Sequence, residues 1–126
     1  MVMMRHRGFT LIEMLVVMVV IALLLTIATP RYLDSVDRAR ENVLRENLLL
    51  MRDALDKHFA DRGRYPDALE QLVERRYLRA VPVDPLTESS ETWLPVAPDR
   101  PDLGAVYDVR SGAEGSTQGG VAYGEL

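Results

Sequence analysis

A run of 21 residues, 9–29, contains a single charged side chain, Glu13, and neither glycine nor proline. As a helix this run would be ~31 Å long, which matches the thickness of the hydrocarbon core of a bilayer. Charged residues become frequent from Arg31 onward. The sequence therefore predicts a helix that meets lipid or other apolar helices, followed by a part of the chain that meets water.

The remaining composition argues against an enzyme. The chain has 126 residues, no cysteine and two histidines, His6 and His58, so it offers no thiol nucleophile and no zinc-thiolate site. It contains neither a G-x-S-x-G nucleophile motif nor a phosphate-binding glycine loop. The formal net charge of −4 argues against a broad nucleic-acid-binding surface. A secreted enzyme behind a signal peptide is therefore disfavoured. Since no catalytic partner is evident for His58, we expect it at a solvated or half-buried surface position.

Two interpretations of residues 9–29 differ in how they account for Glu13. A cleaved secretory signal fits the basic residues before the run and the small residues near Ala28. An acidic residue inside a membrane helix costs about 3 kcal/mol, however, and a disposable signal has no use for it. A retained helix can use the charge when an opposite charge meets it in a low dielectric. Arg5 and Arg7 precede the run and favour a cytoplasmic N-terminus with the rest of the chain translocated.

The residues around Glu13 resemble the processing motif of type IV pilins and type II secretion pseudopilins. Residues 8–13 read GFTLIE and directly follow a basic stretch. The resemblance implies that a prepilin peptidase cuts between Gly8 and Phe9 and methylates the new N-terminal amine of Phe9. It also implies that Glu13 neutralises the terminal amine of a neighbouring subunit during assembly. The complete motif is Gly8, Phe9, Thr10, Leu11, Ile12 and Glu13.

Pro30 ends the apolar run, and an amphipathic pattern follows it. A proline inside a helix bends it, whereas a proline at the first position starts a helix. The residue pattern leaves both open, and the pilin resemblance implies a kink at Pro30. Beyond it, spacings of three, four and seven predict a helix that ends near Gly63. Its predicted apolar face comprises Val36, Val43, Leu44, Leu48, Met51, Leu55 and Phe59.

The rest of the chain predicts a small globular head. Asp67 and Glu70 have the spacing of a capping box, which predicts a short helix to about Arg76. Trp93 is expected in the core. The fold class is therefore expected to be α+β, with a long N-terminal helix packed against a small antiparallel sheet. The predicted strands are residues 92–96, 105–110 and 121–123.

The order of short motifs in the head sharpens the resemblance. GRYP, a short helix, YL and PVDP follow one another, as in the G-type major pseudopilin of type II secretion systems. That family commonly continues W-G-x-P-Y, and this chain instead reads LTESSETW, so it resembles a divergent member. The predicted organisation is a leader at 1–8, a transmembrane and filament-core helix at 9–29, its amphipathic continuation at 30–63 and the head at 64–126.

The last loop resembles the calcium-binding loop of G-type pseudopilins. YDVRSGAEG is similar to the family's Y-D-x-x-S…G-A-x-G run, and calcium takes six to eight oxygen ligands. The candidate ligands are Ser111, Glu114 and Glu125, since the acidic residues expected further on are mostly missing. The alternative is a glycine-rich loop that binds no metal, so the sequence assigns no firm cofactor.

Taken as implied by the resemblance, the function is structural. The chain would be a single-pass inner-membrane precursor that is processed and polymerises through its N-terminal helix into a periplasmic pseudopilus. Its partners would be further copies, other pseudopilins, the prepilin peptidase, an inner-membrane assembly platform and lipid, with no nucleic acid. One alternative is a type IV pilin for adhesion, motility or DNA uptake, although many such pilins carry a disulfide. Another is a minor subunit whose residues 88–93 contact a cargo or tip protein.

Overall fold

The computed structural model describes Gly8 and residues 10–126. A 52-residue helix and a small antiparallel sheet confirm the α+β class. By contacts the chain divides into two compact units, one up to Val36 and one from Asp37 to Leu126. The elements in chain order are α1 (Leu11–Arg62), α2 (Leu69–Glu74), β1 (Leu94–Val96) and β2 (Asp108–Arg110), with 3₁₀ turns at Pro101–Leu103 and Tyr123–Glu125.

The described part of the first unit consists almost entirely of the beginning of α1. Its large apolar side chains from Leu11 to Ile27 are all between 43% and 79% exposed. This stretch is long and apolar enough to cross a membrane, judged by its length and composition. Apolar side chains that stay uncovered in a single chain need lipid or other protein around them.

The second unit is built on one face of α1. The buried positions Leu44, Leu48, Met51, Leu55 and His58 follow one another at steps of four and three, which is the spacing of one helix face. The prediction that His58 lies at the surface is wrong. The residue is three positions after Leu55, so it belongs to the same buried helix face. Val43, expected on this face, is 44% exposed instead.

The end of α1 agrees with the sequence. The helix ends at Arg62, and Gly63 follows with a φ of +70°, a left-handed conformation that glycine adopts without steric cost. The N–H of Gly63 donates to the carbonyl oxygen of Phe59 at 2.8 Å. Gly63 therefore turns the chain out of the helix and into the head.

The start of α2 differs from the predicted capping box. The helix covers Leu69–Glu74, and its N-cap is Ala68, without a side-chain cap. Asp67 instead forms an ion pair with Arg64 at 3.2 Å, and its N–H donates to Oε1 of Gln71 at 2.9 Å. The short helix is confirmed, but the cap assigned to Asp67 is wrong because its carboxylate is drawn to the nearby guanidinium.

The sheet is smaller than the sequence predicts. β1 and β2 are antiparallel, with Pro95 opposite Val109 at the centre of the register. The first two predicted strands are present but shortened. The third, at 121–123, is wrong: the chain makes one isolated bridge between Ser116 and Ala122 and then turns. The N–H groups of Val121 and Tyr123 donate to Thr117 and Gly115 within the last loop.

The core of the second unit joins α1, α2 and the sheet. Trp93 is buried as predicted, and its indole N–H donates to the carbonyl oxygen of Pro82 at 2.7 Å. The buried apolar residues are Leu44, Leu48, Met51, Ala54, Leu55, Leu69, Leu72, Leu78, Trp93, Val106 and Val109.

Candidate functional site

The beginning of α1 is held by Thr10, the residue before its first turn. The Oγ1 atom of Thr10 accepts a hydrogen bond from the N–H of Glu13 at 3.1 Å. Its carbonyl oxygen accepts a second bond, from the N–H of Met14, also at 3.1 Å. Thr10 is thus the N-cap of α1, since its hydroxyl satisfies a donor that has no partner within the helix. The family resemblance implies processing and says nothing about this cap. The T-x-x-E spacing of Thr10 and Glu13 is a capping-box pattern and could have predicted it.

Glu13 lies in the first turn of α1 and is exposed. The N-terminal end of a helix carries partial positive charge, which stabilises a carboxylate there by about 0.3–1 kcal/mol. The bond between its N–H and Thr10 fixes the backbone that carries the carboxylate. An exposed carboxylate at the start of an apolar helix can attract a positive group of another chain.

Polar groups further along this helix are satisfied within it. The hydroxyls of Thr26 and Thr29 donate to the carbonyl oxygens of Ala22 and Leu25, each at 2.8 Å. Such bonds to the preceding turn let threonine sit in an apolar helix without exposing a free donor. These two hydroxyls are therefore bonded within the helix, so they add no free donor to the apolar surface of the stretch.

Pro30 lies inside α1, which runs on to Arg62. The alternative in which Pro30 starts a new helix is therefore wrong. Because proline has no N–H, the carbonyl oxygen one turn earlier, on Thr26, loses its helical donor. A kink at Pro30 stays a prediction.

The predicted cleavage site is only partly described. Gly8 is exposed and precedes the N-cap by two residues. Phe9 and residues 1–7 lie outside the described residues. Cleavage after Gly8 and methylation of Phe9 therefore stay predictions.

The candidate calcium ligands differ in their surroundings. Ser111 is buried, and its hydroxyl donates to Oδ2 of Asp84 at 2.5 Å, whereas Glu114 and Glu125 are exposed. Across the described chain, no three side chains of the histidine, cysteine, aspartate and glutamate types are grouped to hold a metal. Calcium takes six to eight oxygens, so the residues present do not fit the ion.

Asp84 is a buried carboxylate that the PVDP motif alone does not explain. Its side chain is fully inaccessible. Besides Ser111, it accepts a bond from the N–H of Leu86 at 2.8 Å, and its own N–H donates to the carbonyl oxygen of Ser89 at 3.0 Å. An aspartate in a turn predicts its local bond to Leu86, whereas its bond to Ser111 has no signal in the motif.

His58 joins three segments of the second unit. Its ring is fully buried, with Nδ1 2.7 Å from the carbonyl oxygen of Arg64 and Nε2 2.6 Å from Nη1 of Arg75. A carbonyl only accepts and a guanidinium only donates, so the imidazole is neutral and protonated on Nδ1. Burial lowers the pKa of His58 below its usual 6.5, the bond to Arg64 opposes that shift, and the charges of Arg75, Arg62 and Arg64 add to it.

Comparisons with known proteins identify a motif family at the N-terminal end of the chain and relatives over a longer region. The family described as "Prokaryotic N-terminal methylation motif" matches residues 3–29. A type II secretion system core protein G of Klebsiella pneumoniae is 31% identical, over 66% of this chain and 71% of the relative. The protein of the same name from Pseudomonas aeruginosa is 31% identical, over 64% and 68%.

A second class of relative shares a shorter region. The type IV major pilin protein PilA of Myxococcus xanthus is 32% identical over 54% of this chain and 31% of its own length. No solved structure matches the chain with significance.

Proposed function

Because the chain belongs to the family of type II secretion system core protein G, we propose that it is a structural subunit of a periplasmic pseudopilus. Its role is to polymerise, rather than to catalyse a reaction. The filament would act as a piston or scaffold in the export of folded proteins across the outer membrane.

One observation carries the proposal. The single charge of the apolar run, Glu13, lies exposed in the first turn of a helix whose apolar side chains are uncovered. A carboxylate in lipid is costly alone, and its attraction to a positive group is strong in a low dielectric. The free amine of a processed N-terminus on a neighbouring subunit provides such a group. Pairing would favour transfer from the bilayer into the filament only where a neighbour is present.

Processing and orientation follow from the same segment. Cleavage between Gly8 and Phe9 would create the amine, and the motif-family match over residues 3–29 supports methylation of Phe9. Arg5 and Arg7 before the run favour a cytoplasmic leader. The second unit would then lie in the periplasm, where the chain meets an inner-membrane assembly platform and other pseudopilins.

A type IV pilin for adhesion, motility or DNA uptake is the second candidate. The similarity to PilA of Myxococcus xanthus favours it, but that similarity covers 31% of the relative. A minor pseudopilin that binds a cargo or the filament tip is a third. Genes for a secretin and a secretion ATPase beside this one favour the pseudopilus, and adhesin or motility genes favour the pilus.

The experiment that tests the proposal is complementation. The chain is expressed in its own host after deletion of the chromosomal copy, and the amount of exported protein is measured in the medium. We expect export to stop on deletion and to return with the wild-type chain, together with a filament fraction that sheds on shearing. Unchanged export after deletion, with no filaments in either strain, would overturn the proposal.

A further inference from the structure

The last loop, residues 111–123, is the part of the head where the family resemblance implies calcium and the donor set does not fit it. We propose that this loop is closed by hydroxyl and carboxylate groups of the chain itself, in place of a metal ion. The stability of the head is then independent of calcium. The proposal concerns the folding of the head and goes beyond its role in a filament.

Thr117 closes the loop from inside. It is buried, its N–H donates to the carbonyl oxygen of Val121 at 2.7 Å, and its carbonyl oxygen accepts from Gly120 at 3.0 Å. Its Oγ1 accepts the N–H of Val121 at 3.2 Å. A single threonine therefore ties together a turn of five residues through three hydrogen bonds.

The two sides of the turn continue as a short pair. Ser116 and Ala122 form an antiparallel bridge, and the N–H of Tyr123 donates to the carbonyl oxygen of Gly115 at 3.1 Å. Carbonyl oxygens are common calcium ligands in loops. Here those of Gly115, Thr117 and Val121 already accept backbone N–H groups, so the loop geometry is set by hydrogen bonds.

The beginning of the loop is fixed by Ser111 and Asp84. Both side chains are buried, and the Oγ atom of Ser111 donates to Asp84 while accepting the N–H of Ala113 at 3.1 Å. Gly112 packs so closely that the carbonyl oxygen of Thr92 occupies the place where a Cβ atom would lie. The carboxylate on this side of the loop therefore faces inward and binds protein groups.

The polar groups around the loop thus need no ion to satisfy them. Across the described residues, no buried side-chain nitrogen or oxygen lacks a hydrogen-bond partner. The remaining acids of the region, Glu114 and Glu125, are exposed. A buried polar group without a partner would be destabilising, and a cation would be one way to provide that partner. The chain provides it with Thr117 and Ser111.

The test is a thermal unfolding of the full chain in detergent micelles. Trp93 is the single tryptophan and is buried in the head, so its fluorescence reports unfolding of that unit. The midpoint is measured in calcium chloride and in the chelator EDTA. We expect equal midpoints. Calcium at about 100 times the Kd of a native site would instead raise the midpoint by roughly 10 °C.

Variants identify the groups responsible. Thr117→Val keeps the shape and removes the hydroxyl, so we expect a lower midpoint by the same amount in calcium and in chelator. Thr117→Ser keeps the hydroxyl and is expected to retain most of the wild-type midpoint. If Thr117→Val fails to fold, the wild-type comparison decides alone. A wild-type midpoint that rises with calcium would overturn the proposal. Loss of that rise in Glu114→Gln or Glu125→Gln would then assign the ion to this loop.

Failure of this proposal is distinguishable from failure of the proposed function. Calcium-dependent unfolding with normal filaments and export would refute only the metal-free loop. Equal midpoints without filaments would refute only the pseudopilus. Filament yield measured in calcium and in chelator adds a second readout, and we expect the same yield in both.

Discussion

The guanidinium of Arg75 donates to the imidazole of His58 across 2.6 Å, so the cation of an exposed residue is bound by a buried neutral ring. Tyr77 packs against the same ring with centroids 5.4 Å apart, and its hydroxyl donates to Asp61 at 2.8 Å. The cluster joins the end of α1 to the end of α2. Protonating Nε2 would remove the acceptor and place two positive charges in contact.

We therefore expect the head to lose stability in acid. The folded pKa of His58 lies below the unfolded value of 6.5 because burial and the nearby arginines disfavour the charged ring. The stabilisation is fully present above pH 6.5 and is lost as the pH falls through the lower folded pKa. The loss of stability is measured by fluorescence-detected unfolding of the full chain between about pH 7.5 and pH 5, the range in which histidine titrates.

His58→Gln is the control for that pH dependence. Glutamine offers a donor and an acceptor but does not titrate, so its unfolding midpoint should change less with pH than that of the wild type. An equally steep loss in both proteins would assign the acid sensitivity to carboxylates, of which the described chain has many, rather than to His58.

Arg52 is the second position where one side chain holds several segments. It donates to Oδ1 of Asp108 at 2.8 Å and to the carbonyl oxygens of Val109 at 3.2 Å and Leu126 at 2.7 Å. Arg52→Met keeps the length of the stem and removes the donor that the three acceptors share, although Oδ1 of Asp108 retains its bond from the N–H of Val109. We expect a loss of about 1–3 kcal/mol in the free energy of unfolding, measured by urea titration.

Arg45 provides the matched comparison on the same helix. Its ion pair with Glu41, at 3.0 Å, joins positions four residues apart, and its side chain is half exposed. Arg45→Met should cost about 0.3–0.5 kcal/mol. Equal costs at residues 45 and 52 would show that Arg52 acts as an ordinary surface charge.

The two histidine and arginine clusters also show which features of this fold a sequence can predict. Three predictions that depend on local sequence are confirmed: the helix over the apolar run, its end at Gly63 and the burial of Trp93. The burial of His58 follows the same helical step pattern, but a polar side chain hides its membership of the face. The helical spacing predicts a buried residue at position 58, but a polar residue such as histidine is normally expected at the surface.

Other features depend on which of several possible partners a polar group finds. Asp84 and Ser111 are 27 residues apart, and neither predicts the other. The carboxylate of Asp67 pairs with Arg64 rather than capping α2, because a guanidinium competes with the helix N–H groups. Residues 121–123 fail to form a strand for a similar reason, since hydrogen bonds within the last loop take their place. Long-range pairing decides the first case, and competition between nearby partners decides the other two. Spacing rules describe neither.

Glu13 is the residue whose charge we expect assembly to need. Glu13→Gln removes the charge with little change of shape, and Glu13→Val removes the polar group as well. Both should be cleaved normally and remain in the membrane fraction, with filament incorporation reduced at least tenfold, on the order of 1.4 kcal/mol or more. The measurement is the proportion of processed chain in sheared filaments.

Glu46 serves as the control for this effect. It is an exposed carboxylate on the same helix, but it lies beyond the apolar run. Glu46→Gln should assemble like the wild type. Normal incorporation of Glu13→Gln would refute the charge role, whereas loss of cleavage would assign Glu13 to recognition by the peptidase.

The cap at Thr10 predicts a local effect on α1. Thr10→Val removes the acceptor for the N–H of Glu13, at a cost of about 1 kcal/mol, so exchange of that amide hydrogen should quicken about fivefold. Thr10→Ser retains a hydroxyl and should exchange at nearly the wild-type rate. Hydrogen exchange of the unprocessed chain in micelles, read by mass spectrometry, compares the three. Equal rates would mean that the cap does not hold the first turn.

Processing gives the last prediction. Mass spectrometry of the chain from a host with prepilin peptidase should find N-methylated Phe9 as the first residue. Gly8→Trp places a bulky side chain before the bond and should leave the precursor uncut, with residues 1–8 still attached. A mature terminus near Ala28 would show instead that the apolar run is a removed secretory signal.

The inward bonds of Thr26 and Thr29 have a consequence for how neighbouring helices would align in a filament. Their hydroxyls donate to carbonyl oxygens of their own helix, so their hydrogens are not available to a second helix. Apolar surfaces can slide past each other by a turn and keep most of their contact area, whereas an ion pair is lost by the same shift. Among the described residues 10–29, Glu13 is therefore the side chain that we expect to set longitudinal register, and the rest of the segment would supply adhesion without specifying position.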